Sequence, residues 1–354
     1  MRLPTLRVNG GNFVSMKSLR YLGMIALAAA ALHGQQFWST DPGLDCTGVD
    51  GPYEISTGEY ACSVHGTFVW YAAGGGQWTS YIRVGAPSTA PIQANYYFFD
   101  ISGNPISLDY TLGVGGTKSS GSTPSIVLNT NQPVEFDILG ATSNAPAYNT
   151  LQDGSVWAQF FCPDLVTCGN VLPQLVYTSA TPQAPWSLSV PIAWDDQVWT
   201  TFSAEGVDDE KSRIISFVVY NEGLTATVFT VYVYDGTGNL VATGTTPSIP
   251  PLADGGNGEA GTYATALSGV IPADKIPSGV FKVLFDGGAG GEDCAVEVVQ
   301  FSGASATSLQ VAYDSPPSGG VSASVINRAA HKTARAALVQ QRVQNALSLK
   351  AQAK

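Results

Sequence analysis

The sequence predicts an all-β protein: two tandem antiparallel β-sandwich domains between an N-terminal signal peptide and a C-terminal α-helical tail. Three observations carry that prediction. Short alternating or aromatic-rich runs bounded by Gly, Pro, Asn, Asp or Ser recur from residue 35 to residue 315, and many short strands between turn signals mark antiparallel sandwiches and barrels. Charged residues make up only 12% of the 354 residues, with 39 Gly and 21 Pro, a turn-rich composition that stays short of low complexity. A segment of the first half also recurs in the second.

The first 34 residues read as an export signal. Lys17 and Arg20 precede an uncharged apolar run at 22–32, followed by small residues, with Ala29 and Ala31 or else Gly34 as processing positions. A basic region, an apolar stretch and a small-residue cleavage site compose a secretory signal. The run is too short for a bilayer span, which takes about 20 apolar residues. With translation starting at Met1 or Met16, the mature chain is therefore expected to be secreted, extracellular or periplasmic, with no transmembrane span.

All five cysteines follow the signal, and an oxidising compartment permits disulfides. Proximity along the chain pairs Cys46 with Cys62, and Cys162 with Cys168 across a turn-like 163–167. Cys294 is left as a buried thiol or an intermolecular link. Zinc is not expected, because no cysteine pair has the two- to four-residue spacing of structural sites and the body holds His65 alone besides the tail residue His331.

Residues 35–66 read as a hairpin or edge strands packed on the first sandwich. Strands are expected at 66–71, 78–84, 94–99, 133–139, 156–161, 214–220, 227–234, 280–285, 295–301 and 309–313. The first domain is placed at 67–182 and the second at 188–315, with a Pro-containing link at 180–186. The division rests on the repeat. Tyr96-Tyr97-Phe98-Phe99-Asp100-Ile101-Ser102-Gly103-Asn104-Pro105-Ile106 aligns with Val231-Tyr232-Val233-Tyr234-Asp235-Gly236-Thr237-Gly238-Asn239-Leu240-Val241. In each copy an apolar strand ends in Asp-x-x-Gly-Asn. The Asp can bond the turn backbone and Gly and Asn accept positive φ, so a hairpin is expected to return at once into Pro105-Ile106 or Leu240-Val241. Leu175 to Ser179 and Gln310 to Ser315 correspond more loosely, with Tyr177 and Tyr313 in matching places.

This order of strand, Asp-x-x-Gly-Asn and strand resembles the immunoglobulin-like or fibronectin-like modules repeated in secreted bacterial proteins. The resemblance spans the body of the chain and implies its architecture only. The Cys-Trp-Cys spacing of antibody domains is absent, and no binding residue is carried over.

A linker by composition at 315–320 leads to residues 321–354, which lack Gly and Pro and are rich in Ala, Gln, Leu, Lys and Arg, a helix by propensity. Val339, Val343, Ala346 and Leu347 form an apolar stripe, while Arg328, Lys332, Arg335 and Arg342 gather on another side. Three readings stand: a solvated helix, docking on the acidic body, or attachment to an anionic surface, lipid or polymer. The net charge of −11 is unevenly spread. Four bases fall in residues 1–34 and six after Asp314, leaving six to face all 27 carboxylates. So acidic a body repels nucleic acid, which is excluded as a partner.

Candidate chemistry is sparse. Glu135 and Asp137 alternate onto one face of an expected strand, as paired glycosidase carboxylates do. The segment Glu135-Phe136-Asp137-Ile138-Leu139-Gly140 is similar to the Glu-x-Asp-x-x-Glu signature of the laminarinase-like jelly-roll glycoside hydrolases. It departs at Gly140, where that resemblance would place the acid/base Glu, and without a proton donor the leaving oxygen is not protonated. His65 is the sole histidine of the sandwich region and reads as structural. Residues 113–119 lack the Gly that a phosphate loop needs before Lys118 and read as a hairpin loop. Acidic loops at Asp195-Asp196, Asp208-Asp209-Glu210, 254–259 and 286–293 offer the oxygen ligands calcium takes, without EF-hand spacing; solvated turns are the alternative. Trp70, Tyr71, Trp78, Tyr81, Trp194 and Trp199 read mostly as core, with sugar stacking as the other use. No catalytic residue and no cofactor other than calcium is assigned. The expected function is a secreted non-enzymatic module, structural or interacting, whose partner is an extracellular glycan or protein. The alternative is a jelly-roll glycoside hydrolase using Glu135 and Asp137.

Overall fold

The computed structural model describes residues 38–312, apart from 88–89, 114–115, 145–147, 180–185, 195–200, 206–212, 222–224, 252–260, 289–293, 303–304 and 310. The expected signal peptide, the 180–185 link, the linker and helical tail, Trp199, Tyr313 and most of the acidic-loop residues lie outside the described residues. Inside them the chain is antiparallel sheet, interrupted by helical turns of three or four residues.

The first part comprises β1 (Asp50–Ser56), β2 (Glu59–Gly74), β3 (Trp78–Gly85), β4 (Ile92–Asp100), β5 (Leu108–Leu112), β6 (Lys118–Gly121), β7 (Ser125–Leu128), β8 (Pro133–Ala141) and β9 (Leu151–Cys162). The single helical turn α1 (Leu165–Cys168), then β10 (Gln174–Ser179), β11 (Trp186–Pro191) and β12 (Ala193–Trp194), complete it. All twelve strands belong to one sheet. β2 and β3 pair only at Gly74 and Trp78, so the sheet doubles over there. The arm β6-β5-β8-β3-β10-β11 then faces the arm β7-β4-β9-β2 across a shared apolar core.

The alternation of side chains makes this possible. β3 buries Ser80, Ile82 and Val84 while β8 buries Phe136 and Ile138, and both turn their polar residues outward. From the other arm, Tyr96 and Phe98 of β4 meet Phe136 at ring-centroid distances of 5.1 and 5.8 Å. β9 is buried without alternation from Gly154 to Cys162. The small cluster of Tyr53, Phe99, Trp157 and Phe161, joined by Trp38 and Tyr97, covers its second face, which is why its sequence is apolar at successive positions.

The second part comprises β13 (Thr201–Glu205), β14 (Arg213–Asn221), β15 (Thr227–Tyr234), β16 (Leu240–Ile249), β17 (Thr262–Ala266), β18 (Val280–Asp286), β19 (Cys294–Ser302), β20 (Ser305–Leu309) and β21 (Val311–Ala312). A five-stranded sheet of order β16-β15-β18-β13-β21 and a four-stranded sheet of order β17-β14-β19-β20 enclose a second core. Phe217 and Phe285 meet at its centre with ring centroids 5.0 Å apart. The other face of the four-stranded sheet presents Val218, Tyr220 and Ala295 to Val69, Trp70 and Ala193. Across this junction the two parts pack as a single compact unit.

The repeated Asp-x-x-Gly-Asn motif builds the same turn twice. Asp100 Oδ1 accepts the amides of Ser102 and Asn104, both at 2.9 Å, and Asp235 Oδ1 accepts those of Thr237 and Asn239 at 2.9 and 3.0 Å. Gly103 and Gly238 occupy φ of 86° and 87°, a region open to glycine without penalty. Beyond the turn the two copies diverge. After Asn239 the chain continues as β16, paired along the length of β15. After Asn104 the pairing is limited to a bridge between Phe99 and Pro105, because β5 leaves to join β8 and Pro105 has no amide hydrogen to extend a ladder.

Cys46 and Cys62 lie at disulfide distance, with Cα atoms 5.5 Å apart, as do Cys162 and Cys168 at 5.4 Å. Cys62 and Cys162 are cross-strand partners on β2 and β9, so both pairs fasten one end of the first sheet. Cys294 is buried in the second core.

Candidate functional site

The polar outer face of the arm β6-β5-β8-β3-β10 gathers the carboxylates that the sequence singles out. Register sets it out in rows. Gln174, Arg83 and Glu135 stand side by side across β10, β3 and β8, and Tyr81, Asp137, Thr111 and Lys118 across β3, β8, β5 and β6. Arg83 Nε donates to Glu135 Oε2 at 2.9 Å and its Nη2 to the Tyr81 hydroxyl at 3.3 Å. Its guanidinium carbon lies 4.8 Å from the centroid of the Tyr81 ring, within cation–π range. Thr111 Oγ1 donates to Asp137 Oδ2 at 3.0 Å.

Glu135 and Asp137 are thus on one strand face, as the alternation predicts, and they interact. Partial burial raises the Asp137 carboxyl above its usual value against the Thr111 hydrogen bond, and the charge of Glu135 adds to the rise.

One row further along, Asp109 carries a denser network that the sequence does not announce. Its side chain is 2% exposed. It accepts from Lys118 Nζ at 2.6 Å, from the Tyr148 hydroxyl at 2.7 Å and from Ser120 Oγ. Lys118, the lysine of the phosphate-loop-like segment, is therefore committed to Asp109. A strand follows that segment, whose turn is closed by Gly113 N on Glu135 O at 2.7 Å and Gly116 N on Gly113 O at 3.0 Å.

Beside the Arg83–Glu135 pair lies an open depression of 350 Å³ with Gln174 on its rim and Pro133, Val134 and Leu172 in its lining. Leu172 is 77% exposed there.

The other expected candidates are scattered. His65 pairs through Nε2 with Asp50 Oδ2 and packs on Trp157 with ring centroids 5.7 Å apart, on the opposite arm. Ser63, two positions back on the same strand, accepts from Gln159 Nε2 at 3.2 Å. Tyr71 is fully buried; Trp70, Trp78 and Trp194 are partly buried and packed against other rings, and of the five described Tyr81 alone stands on the polar face. Of the last acidic loop, Asp286 closes its own turn by accepting from Gly288 N at 2.8 Å. Among the described residues no group of three or more His, Cys, Asp or Glu is placed to hold a metal, and no helix is long and apolar enough to cross a membrane. No protein-family model, curated protein or solved structure matches this chain.

Proposed function

We propose that the chain is a secreted, non-enzymatic protein of two tandem β-sandwich modules that binds an extracellular glycan on the outer face of β3 and β8. The export-signal pattern at 22–32, the disulfide-distance cysteines and the resemblance to immunoglobulin-like modules support the setting. The binding reading rests on one observation: Glu135 and Asp137 stand on one open strand face beside Tyr81 and Arg83, whose guanidinium bonds both Glu135 and the Tyr81 hydroxyl. With Arg83 and Tyr81 they make a row of acceptors and donors suited to sugar hydroxyls. The half-exposed Tyr81 ring offers a surface for the apolar face of a pyranose.

The test is a glycan array probed with the full mature chain, with and without a calcium chelator, followed by Tyr81→Ala. Binding that survives the chelator and falls at least tenfold in Tyr81→Ala supports this face. Chelator-sensitive binding that Tyr81→Ala leaves intact would move the site to the acidic loops. The alternative, a jelly-roll hydrolase using Glu135 and Asp137, draws on the raised Asp137 carboxyl, since a general acid must hold its proton near neutrality. Hydrolysis of any member of a polysaccharide panel, lost in Glu135→Gln, would replace the binding reading.

A further inference from the structure

The junction between the four-stranded sheet and β2 and β10 contains a carboxyl where apolar side chains otherwise meet. On β19, Val296 and Val298 point into the second core, and alternation turns Ala295, Glu297 and Val299 the other way, toward the first sheet. Glu297 is 7% exposed and Tyr177, on β10, 1%. The Tyr177 hydroxyl lies 2.6 Å from the Trp70 carbonyl oxygen and 2.9 Å from Glu297 Oε2.

A phenol has one hydrogen to give. The Trp70 carbonyl has none, so the shorter contact takes the phenol proton. The contact to Glu297 then needs a hydrogen from the carboxyl, or two oxygens would present lone pairs to each other at 2.9 Å. Glu297 Oε1 is buried and has no hydrogen-bond partner, a position tolerable for the carbonyl oxygen of an acid and costly for a carboxylate.

We propose that Glu297, Tyr177 and Trp70 form a proton latch: the carboxylic acid closes the junction, and its ionisation loosens the packing of β19 on β2 and β10. The titratable groups around the latch fit that role. From β10 comes the Tyr177 phenol, from β14 the phenol of Tyr220, two positions along from the Val218 that pairs with Glu297. From β2 comes the Trp70 indole, whose Nε1 donates to Asp153 of β9 at 3.3 Å. No described cation acts on Glu297. Burial pushes its carboxyl up from 4.5 to about 8. A raised acid binds its proton more tightly when packed than when open. The junction is therefore tight below 4.5, loosens as pH climbs from there to about 8, by about tenfold per pH unit within that window, and gains no further sensitivity above it.

Hydrogen exchange of the full mature chain from pH 5 to pH 9, corrected for intrinsic rates, tests the latch through peptides of β19, β10 and β2. The wild type should open progressively more with pH. Glu297→Gln, whose amide can donate to Tyr177 and carries no charge, should show a flat profile. The same pH profile in both proteins would overturn the proposal. Should Glu297→Gln fail to fold, the ¹³C shift of the Glu297 carboxyl in the wild type decides. A midpoint two or more pH units above free Glu sustains the latch, and one near free Glu overturns it.

Discussion

The Tyr148 ring fills the space that a side chain at position 140 would need: a Cβ built on Gly140 would lie 2.9 Å from Tyr148 Cδ1, and φ at Gly140 is +137°. Position 140 is where the resemblance to jelly-roll hydrolases would put the acid/base Glu, so the same packing that fixes this corner of β8 leaves no room for that group. Gly140→Ala should lower stability by about 1–3 kcal/mol through backbone strain and overpacking, and Gly140→Glu by more. Neither should gain hydrolysis. Urea unfolding and a reducing-sugar assay measure both, and a Gly140→Glu protein as stable as the wild type would refute the packing.

Asp109 holds Tyr148 in that place. Tyr148 has φ of 42°, uncommon for a residue with a Cβ, and its hydroxyl is anchored on Asp109 Oδ2 at 2.7 Å. Burial pushes the Asp109 carboxyl up, but the hydrogen bonds from Lys118, Ser120 and Tyr148 outweigh it and hold it below its usual value. A depressed acid stabilises above its unfolded pKa, near 4, and that stabilisation fades as pH falls through the lower folded value. Asp109→Ala, which strands three donors, should therefore cost about 1–3 kcal/mol at pH 7. The melting-temperature gap from the wild type should narrow as pH is taken down to 3. A gap that stays constant over that range would show that the charge of Asp109 contributes nothing.

Much of the scaffold is legible in the sequence because alternation and turn chemistry are local. Each of the ten expected strands falls on a strand, and 227–234 coincides with β15 end to end; the expected run at 309–313 is split between β20 and β21 and ends outside the described residues. Other strands fall outside those runs, among them β5, β7, β11, β13 and β17. β6 (Lys-Ser-Ser-Gly) is an exposed edge strand whose composition reads as loop, and β16, whose start at Leu240-Val241 the expected hairpin return gives, runs on as an exposed edge strand. β12 is two residues long and exists because Gly66 admits its close approach: a Cβ there would meet the Ala193 carbonyl oxygen at 2.4 Å. The face of Glu135 and Asp137 follows from strand period alone. The Asp109 network and the Glu297–Tyr177 pair do not, since each joins residues distant in sequence. The one trace of the latter is a single carboxylate inside the otherwise apolar run Cys294-Ala295-Val296-Glu297-Val298-Val299.

The twin turns should respond unequally to loss of their aspartates. Asp235 sits at the head of a paired hairpin, and hydrogen bonds from Thr237 and Asn239 bring its carboxyl down to about 2. Asp235→Ala should raise hydrogen exchange at Thr237, Asn239 and the first residues of β16. Acidification of the wild type should do the same only as pH falls from near 4 toward 2, the window between unfolded and folded values. At Asp100 the same substitution frees the amides of Ser102 and Asn104 but disturbs only the Phe99–Pro105 bridge. Its effect should stay within residues 100–106. Equal spread of exchange from both sites would mean that the hairpin after Asp235 draws no support from the turn.

The two cysteine pairs close short loops at one end of the first sheet, and their contributions scale with loop length in the chain-entropy account. The Cys46–Cys62 pair spans a separation of 16 residues and the Cys162–Cys168 pair one of 6, which gives about 3 and about 2 kcal/mol. Cys62 and Cys162 face each other across β2 and β9, so loss of one bridge loosens the strand that carries the other, and the two losses should not add. Removing each pair by Ala substitution and then both together, with urea midpoints read under oxidising conditions, measures the ranking and the coupling. The larger loss should come with Cys46→Ala/Cys62→Ala, which also frees the segment before β1. If the Cys162→Ala/Cys168→Ala protein proves the weaker of the two, the native strain or contacts of α1, rather than loop entropy, set the stability of that end of the sheet.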